Sequence, residues 1–457
     1  MLEKRRKRTQ QQWGHRFTPV QMILVFYLIA LIISSALLAL PIAHKEHATF
    51  SAMDIVFTAV SALSVTGLST VEISETFSTV GIIFLAIIMQ FGMFGIMAMG
   101  TLIWMFLGKK IGLRERRLIM TDQNQTKFSG IVRLMKQILI LLISIQLIAF
   151  LVIGTYFLSY FSTAKEAYYH GFFLTVSAIS NSGFDITGNS MISYHNNYFI
   201  QIVIMLLIVV GSIGFPVLIE VKDYLLAKRE ERKRMRFSLF TKVTTLTFFV
   251  LIIVGAIVIF LLDFAAYFSD KQLVESFFYA LFQSVTTKSA GLATLDVSLL
   301  TEENQLFMSL LMFIGASPSS SGGGIRTTTL ALVIIFMITY IRGGKSVRLF
   351  KREIYEEDLV KAVTVTLMAI IMILISVFII LVIEPFSLNQ VLFEVTSAFG
   401  TTGLSLGITP ELSHTSKIIL MILMFIGRVG IITFLFIFNS NRAEPKYRYP
   451  KEKMIIG

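Results

Sequence analysis

"SAMDIVFTAVSALSVTGLST" (Ser51–Thr70) opens on Ser51-x-x-Asp54, a pattern that satisfies two orphan amides and so starts a helix, and it closes on Thr66-Gly67-Leu68. A helix over the apolar residues between them reaches about 18–27 Å at 1.5 Å per residue, short of a bilayer core of roughly 30 Å. Another apolar run begins a few residues further on. The spacing therefore predicts a re-entrant segment, which enters the membrane, turns at the glycine and leaves on the side from which it came.

The same design occurs three more times, in "TAKEAYYHGFFLTVSAISNSGFDIT" (Thr163–Thr187), "SDKQLVESFFYALFQSVTTKSAGLAT" (Ser269–Thr294) and "SLNQVLFEVTSAFGTTGLSLGIT" (Ser387–Thr409). Thr163-x-x-Glu166, Ser269-x-x-Gln272 and Ser387-x-x-Gln390 stand where Ser51-x-x-Asp54 stands. The turn glycines are Gly67, Gly183, Gly291 and Gly403, spaced 116, 108 and 112 residues apart. A second landmark follows each by 25, 28, 24 and 24 residues, the first glycine of an inner apolar span: Gly92, Gly211, Gly315 and Gly427. Internal repetition at this spacing defines four tandem units, each a long apolar span, a short re-entrant helix and a second long span. The expected fold is an all-α polytopic membrane protein: four helix–pore loop–helix repeats, eight transmembrane helices, one central pore.

Composition and charge placement agree with that expectation. The chain is 55% hydrophobic and 15% charged, with long uncharged runs. Its net charge of +12 is confined to alternate loops, because 33 of the 40 lysines and arginines lie in 1–17, 108–136, 221–242, 341–361 and 441–453. By the positive-inside rule these loops and both termini are cytoplasmic, so the charge sets topology rather than marking a nucleic-acid partner. The expected boundaries are a cytoplasmic segment 1–17, repeat 1 at 18–107, a loop at 108–130, repeat 2 at 131–227, a loop at 228–239, repeat 3 at 240–341, a loop at 342–357, repeat 4 at 358–440 and a cytoplasmic tail 441–457. The absence of cysteine excludes disulfides and thiolate metal sites.

Non-helical backbone at membrane depth exists only where protein or a water-filled cavity satisfies it, so four such loops are expected to surround one pore. Each short helix would aim its negative C-terminal end at the centre, favouring a cation, and rings of carbonyls there would replace a hydration shell. The phosphate-binding pattern Gly-x-x-x-x-Gly-Lys-Ser/Thr, His-Glu-x-x-His and a catalytic triad are missing, so neither an enzyme nor an organic cofactor is expected.

In these four loops and the spans around them, the chain resembles the Ktr/Trk/HKT superfamily of potassium and sodium transporters over nearly its whole length. Without the two extra N-terminal helices of Trk-type members, it looks like the membrane subunit of a bacterial Ktr system. The resemblance implies K⁺ uptake across the bacterial plasma membrane, a homodimer with one pore per protomer, and control by a cytosolic ring that binds ATP or ADP. It makes Val65, Thr66, Gly67, Asn181, Ser182, Gly183, Ser289, Ala290, Gly291, Thr401, Thr402 and Gly403 the filter. In this superfamily glycine in all four loops accompanies K⁺ selectivity, and serine in the first accompanies Na⁺ transport; the chain has four glycines. A Na⁺-conducting or Na⁺/K⁺-cotransporting member is the nearest alternative.

The third inner span breaks the pattern with "GASPSSSGGGIR" (Gly315–Arg326), since Pro318 removes an amide and three consecutive glycines abolish helical preference. Its register under Gly291 predicts an intramembrane gate made of Gly315, Ala316, Ser317, Pro318, Ser319, Ser320, Ser321, Gly322, Gly323, Gly324 and Arg326. By resemblance Arg428, immediately after Gly427, is expected to latch that gate. Lys288 is expected to turn away from the ion path toward a carboxylate or carbonyls behind the filter. Gly92, Gly95, Gly211, Gly214, Gly427 and Gly430 are expected to be packing glycines that let helices cross closely. The basic loops fit anionic lipid, and the resemblance adds that they would dock a regulatory ring; neither role excludes the other.

Overall fold

The computed structural model describes residues 19–95, 130–344, 346–431 and 433–434, with isolated positions 99, 116, 120, 450, 452 and 454. The segments 1–17 and 441–449, and nearly all of 96–129, lie outside the described residues, and with them most of the expected cytoplasmic N-terminal segment, first loop and tail. The described residues are mostly helical and include a hairpin of two-residue strands, β1 (Arg348–Leu349) against β2 (Arg352–Glu353).

The helices repeat in a fixed order. In the first quarter α1 (Pro19–Leu38) precedes short α2 (Ala52–Ser64) and α3 (Thr79–Phe94). The second has α4 (Ile131–Phe157), short α5 (Ala164–Ser180), and the pair α6 (Tyr198–Ser212) and α7 (Phe215–Leu226). The third has α8 (Leu239–Leu262), short α9 (Leu273–Thr286), and the pair α10 (Glu302–Phe313) and α11 (Thr327–Ile341). The fourth has α12 (Glu356–Ile383), short α13 (Leu388–Gly400) and α14 (His414–Val429).

Among the described residues four helices, α1, α4, α8 and α12, are long and apolar enough to cross a membrane unaided, and each heads one quarter. Their outward faces carry large exposed apolar side chains such as Ile32, Leu147, Leu261 and Phe378. Such a surface is costly in water and suits lipid. The buried side is continuous between quarters. Tyr27, Phe77 and Met89 of the first pack with Phe173 and Phe184 of the second, while Phe57 and Val60 join Val395, Phe399 and Met424 of the fourth.

Three of the four short helices start as their caps dictate. Ser51 with Asp54 and Ser387 with Gln390 form reciprocal capping boxes, and the Thr163 hydroxyl accepts the Glu166 N–H. The expected box at Ser269–Gln272 does not form. The chain leaves α8 through successive turns on the Asp263 carbonyl, so the Ser269 hydroxyl donates to the Ala266 carbonyl at 2.8 Å and α9 begins only after Gln272.

Candidate functional site

Each short helix ends in an irregular turn. The residue two before each loop glycine has a positive φ: Val65 58°, Asn181 59°, Ser289 76° and Thr401 47°. In three quarters a Schellman-type bond closes the helix, from Thr66 N–H to the Ser61 carbonyl, Ser182 N–H to Ser177, and Thr402 N–H to Ser397. The third tightens by one residue, with Ala290 N–H on the Thr286 carbonyl.

The four glycines then close a ring. All have positive φ, 94° at Gly67, 69° at Gly183, 75° at Gly291 and 92° at Gly403. A Cβ on Gly67 would run into the Ser182 carbonyl, one on Gly183 would lie 2.8 Å from the Ala290 carbonyl, one on Gly291 would meet the Thr402 carbonyl, and one on Gly403 the Thr66 carbonyl. Each quarter thus abuts the next, and the last returns to the first. Backbone angle and absent space both demand glycine at these positions.

Hydroxyls on the short helices hold this backbone. Ser61 and Ser397 accept the N–H groups of Gly67 and Gly403 at 3.0 and 3.1 Å, while Ser177 donates to the Phe184 carbonyl at 2.7 Å and Thr286 to the Leu292 carbonyl at 2.6 Å. These four were not singled out from sequence, although serine recurs six residues before the glycine in three quarters. The Thr66 hydroxyl pairs with that of Ser64 at 2.7 Å and the Ser182 hydroxyl donates to the Met89 sulfur at 2.7 Å, so both turn back into protein. Fully buried Lys288 donates from Nζ to the Ile314 carbonyl at 3.3 Å, a carbonyl at the end of α10. Of the acidic residues on the short helices, Asp54 pairs with Lys417 at 3.6 Å, and Glu394 accepts from Ser405, the Leu406 N–H and Thr409, which pins the chain after Gly403.

The inner helices require a correction. Gly95, Gly214 and Gly430 are not helix-crossing glycines but breaks, with φ/ψ of 82°/140°, 103°/125° and 95°/141°. At Gly214 the axis turns by 108°. Interruption is therefore shared by all four quarters, and the third differs in the length of its break, from Ile314 to Arg326. Gly92, Gly211 and Gly427 do pack closely, against carbonyls of Leu63, Ile179 and Phe399 at the ends of the short helices. Gly315 instead lies against Gly323 of its own loop.

That loop is folded and tethered. Ala316 N–H bonds the Gly323 carbonyl at 3.2 Å and Ile325 N–H the Phe313 carbonyl at 3.1 Å. Ser317 N–H donates to the Ser212 carbonyl at 3.0 Å, Ser321 N–H and Oγ donate to the Gly211 carbonyl at 3.0 and 2.7 Å, and Phe215 N–H donates to the Ser319 carbonyl at 2.8 Å. The bend between α6 and α7 thus exposes helix-terminal groups that would otherwise lack partners, and the loop satisfies them. Pro318 brings its carbonyl to 2.8 Å from where a Gly214 Cβ would be. Ser320 Oγ donates to the Ser317 carbonyl at 2.7 Å, and Gly324 and Ser319 turn the chain with φ of 76° and 55°.

Arg428 spans three quarters. Its Nη1 donates to the carbonyls of Ser320, at 3.1 Å, and Ser321; its Nη2 donates to those of Gly92 and Met93, the latter at 3.0 Å. Arg326 Nη1 donates to the Gly322 carbonyl, and its Nη2 reaches the Arg428 carbonyl at 3.4 Å. Planar guanidinium groups with several donors suit such convergent carbonyls.

A membrane protein whose repeated backbone turns carbonyls and helix C-termini onto one ring belongs to the cation-handling class, because both present negative charge. The profile described as "TrkH: Cation transport protein" matches residues 3–447, and the chain belongs to that family. It is 52% identical over 440 residues to Ktr system potassium uptake protein D of Bacillus subtilis, covering 96% of this chain and 97% of that one. It is 34% identical to Ktr system potassium uptake protein B of the same species, with 97% of both chains covered. Against the potassium/sodium uptake protein NtpJ of Enterococcus hirae identity is 30%, covering 97% and 98%. The crystal structure of the potassium transporter TrkH from Vibrio parahaemolyticus superposes with a TM-score of 0.71 at 18% identity, covering 93% of this chain and 86% of that one, which establishes a shared fold.

Proposed function

We propose that this protein takes up K⁺ across the bacterial plasma membrane, both termini cytoplasmic, as the ion-translocating subunit of a Ktr system. The observation that carries it is the closed ring of Gly67, Gly183, Gly291 and Gly403, each filling the space a side chain on its neighbour would need. In this proposal the four long helices and the four interrupted inner helices make eight spans around one pore. The backbone from Val65, Asn181, Ser289 and Thr401 to the glycines forms the filter, and the loop from Gly315 to Arg326 is the gate, held by Arg428. Uptake needs no catalytic site, since an inside-negative potential favours entry by about 2.3 kcal/mol per charge per 100 mV. The relatives named as proteins of a Ktr system support a partner subunit, and the family resemblance implies that this partner is a cytosolic nucleotide-binding regulator and that the chain is a homodimer.

Expression in a K⁺-uptake-deficient bacterium, with and without a nucleotide-binding partner, tests this. Growth at low K⁺ and K⁺ flux in proteoliposomes are expected; absence of both refutes K⁺ uptake. The relative named for potassium and sodium favours one second reading, Na⁺ conduction or cotransport. Uptake that stops without external Na⁺ would establish it.

A further inference from the structure

Ser289 touches both parts of this assembly. It is fully buried, and its Oγ accepts the Gly323 N–H of the loop at 3.2 Å while donating to the Thr401 carbonyl of the neighbouring quarter at 2.6 Å. The Thr401 hydroxyl lies 2.9 Å from the same Oγ. Packing enforces the contact, since a Cβ on Gly322 would lie 2.6 Å from Ser289 Oγ and one on Gly323 would lie 2.6 Å from Thr401 Oγ1. The corresponding residues of the first two quarters are Val65, which has no hydroxyl, and Asn181, whose carboxamide has no hydrogen-bond partner among the described residues. The loop therefore meets the glycine ring through a chain of hydrogen bonds at the junction of the third and fourth quarters.

We infer that Ser289 is a positioning residue that couples the gate to the ion, transmitting cation occupancy at the Thr401 carbonyl to the Gly323 amide. This deepens, and rests on, the filter and gate assignments above. Hydrogen bonds in a chain polarise one another, so donation to Thr401 makes Ser289 Oγ a better acceptor for Gly323. A cation coordinated by the Thr401 carbonyl competes with the Ser289 proton for that oxygen, which weakens the bond to the loop. By linkage, a loop that has left must alter cation affinity at the Thr401 carbonyl by the same factor.

The chain has no cysteine, so Ser320→Cys supplies a single reporter on the loop. Thiol-modification rates are measured on purified protein in K⁺ and in choline. K⁺ is expected to speed labelling about fivefold, the factor corresponding to one net hydrogen bond. Adding Ser289→Gly, which suits the φ of 76° while deleting the hydroxyl, is expected to abolish the K⁺ dependence. Ser289→Ala provides a second background with the same expected loss. A K⁺ response that persists in either folded variant overturns the coupling, as does no response in the parent reporter. Gly67→Ser, assayed separately for K⁺ over Na⁺ flux, judges the filter itself: altered discrimination alongside a failed labelling test removes the coupling and leaves the filter standing.

Discussion

At Gly67 two physical requirements coincide, since φ is 94° and the place of a Cβ is taken by the Ser182 carbonyl. A serine there must displace ring backbone, so Gly67→Ser is expected to lower K⁺ over Na⁺ flux in proteoliposomes; an unchanged ratio would remove this loop from the filter. Arg428 lends itself to an equally direct measurement. Arg428→Gln leaves only a shorter carboxamide where the guanidinium joins Ser320 and Ser321 to Gly92 and Met93, and K⁺ flux without activation is expected to rise several-fold. Flux at the parental level would mean that Arg428 does not hold the loop. The glycines were legible because they recur in register. The supporting hydroxyls of Ser61, Ser177 and Ser397 were not, because serine in an apolar helix carries no mark of what it faces.

The short helices offer a controlled comparison. Ser51→Ala and Ser387→Ala each remove a formed capping box and are expected to cost about 1 kcal/mol, whereas Ser269→Ala removes no cap and is expected to be nearly neutral in thermal unfolding. Equal losses at all three would show that cap geometry is not what matters. The long break in the third inner helix is bound by the second quarter through Gly211, Ser212 and Phe215 and by the fourth through Arg428. Deleting Ala316–Gly324 is therefore expected to raise flux and loosen regulation, and intact-level flux would count against a gate. Composition located this break. It did not disclose the single-glycine breaks at Gly95, Gly214 and Gly430, because an isolated glycine in an apolar run serves close packing equally well.

Across the whole molecule, closure of the ring joins the last quarter to the first, at Gly403 against Thr66 and at the Lys417–Asp54 pair, whose side chains are 10% and 15% exposed. Topology can be read on intact cells. A cysteine replacing exposed Glu46 is expected to react with an impermeant reagent, while one replacing exposed Lys351 is expected to react only after permeabilisation. The opposite pattern would invert the orientation drawn from the basic loops. Four tandem units, their apolar spans, their turn glycines and the position of the long break follow from periodicity and composition, because these are local properties of a chain that must bury its amides in lipid. Which carbonyl meets which glycine, which helix end receives the loop, and the chain from Gly323 through Ser289 to Thr401 arise only when distant segments come together. Those contacts join residues from 34 positions apart, at Ser289 and Gly323, to the two ends of the repeat array, at Thr66 and Gly403, and no local pattern encodes them.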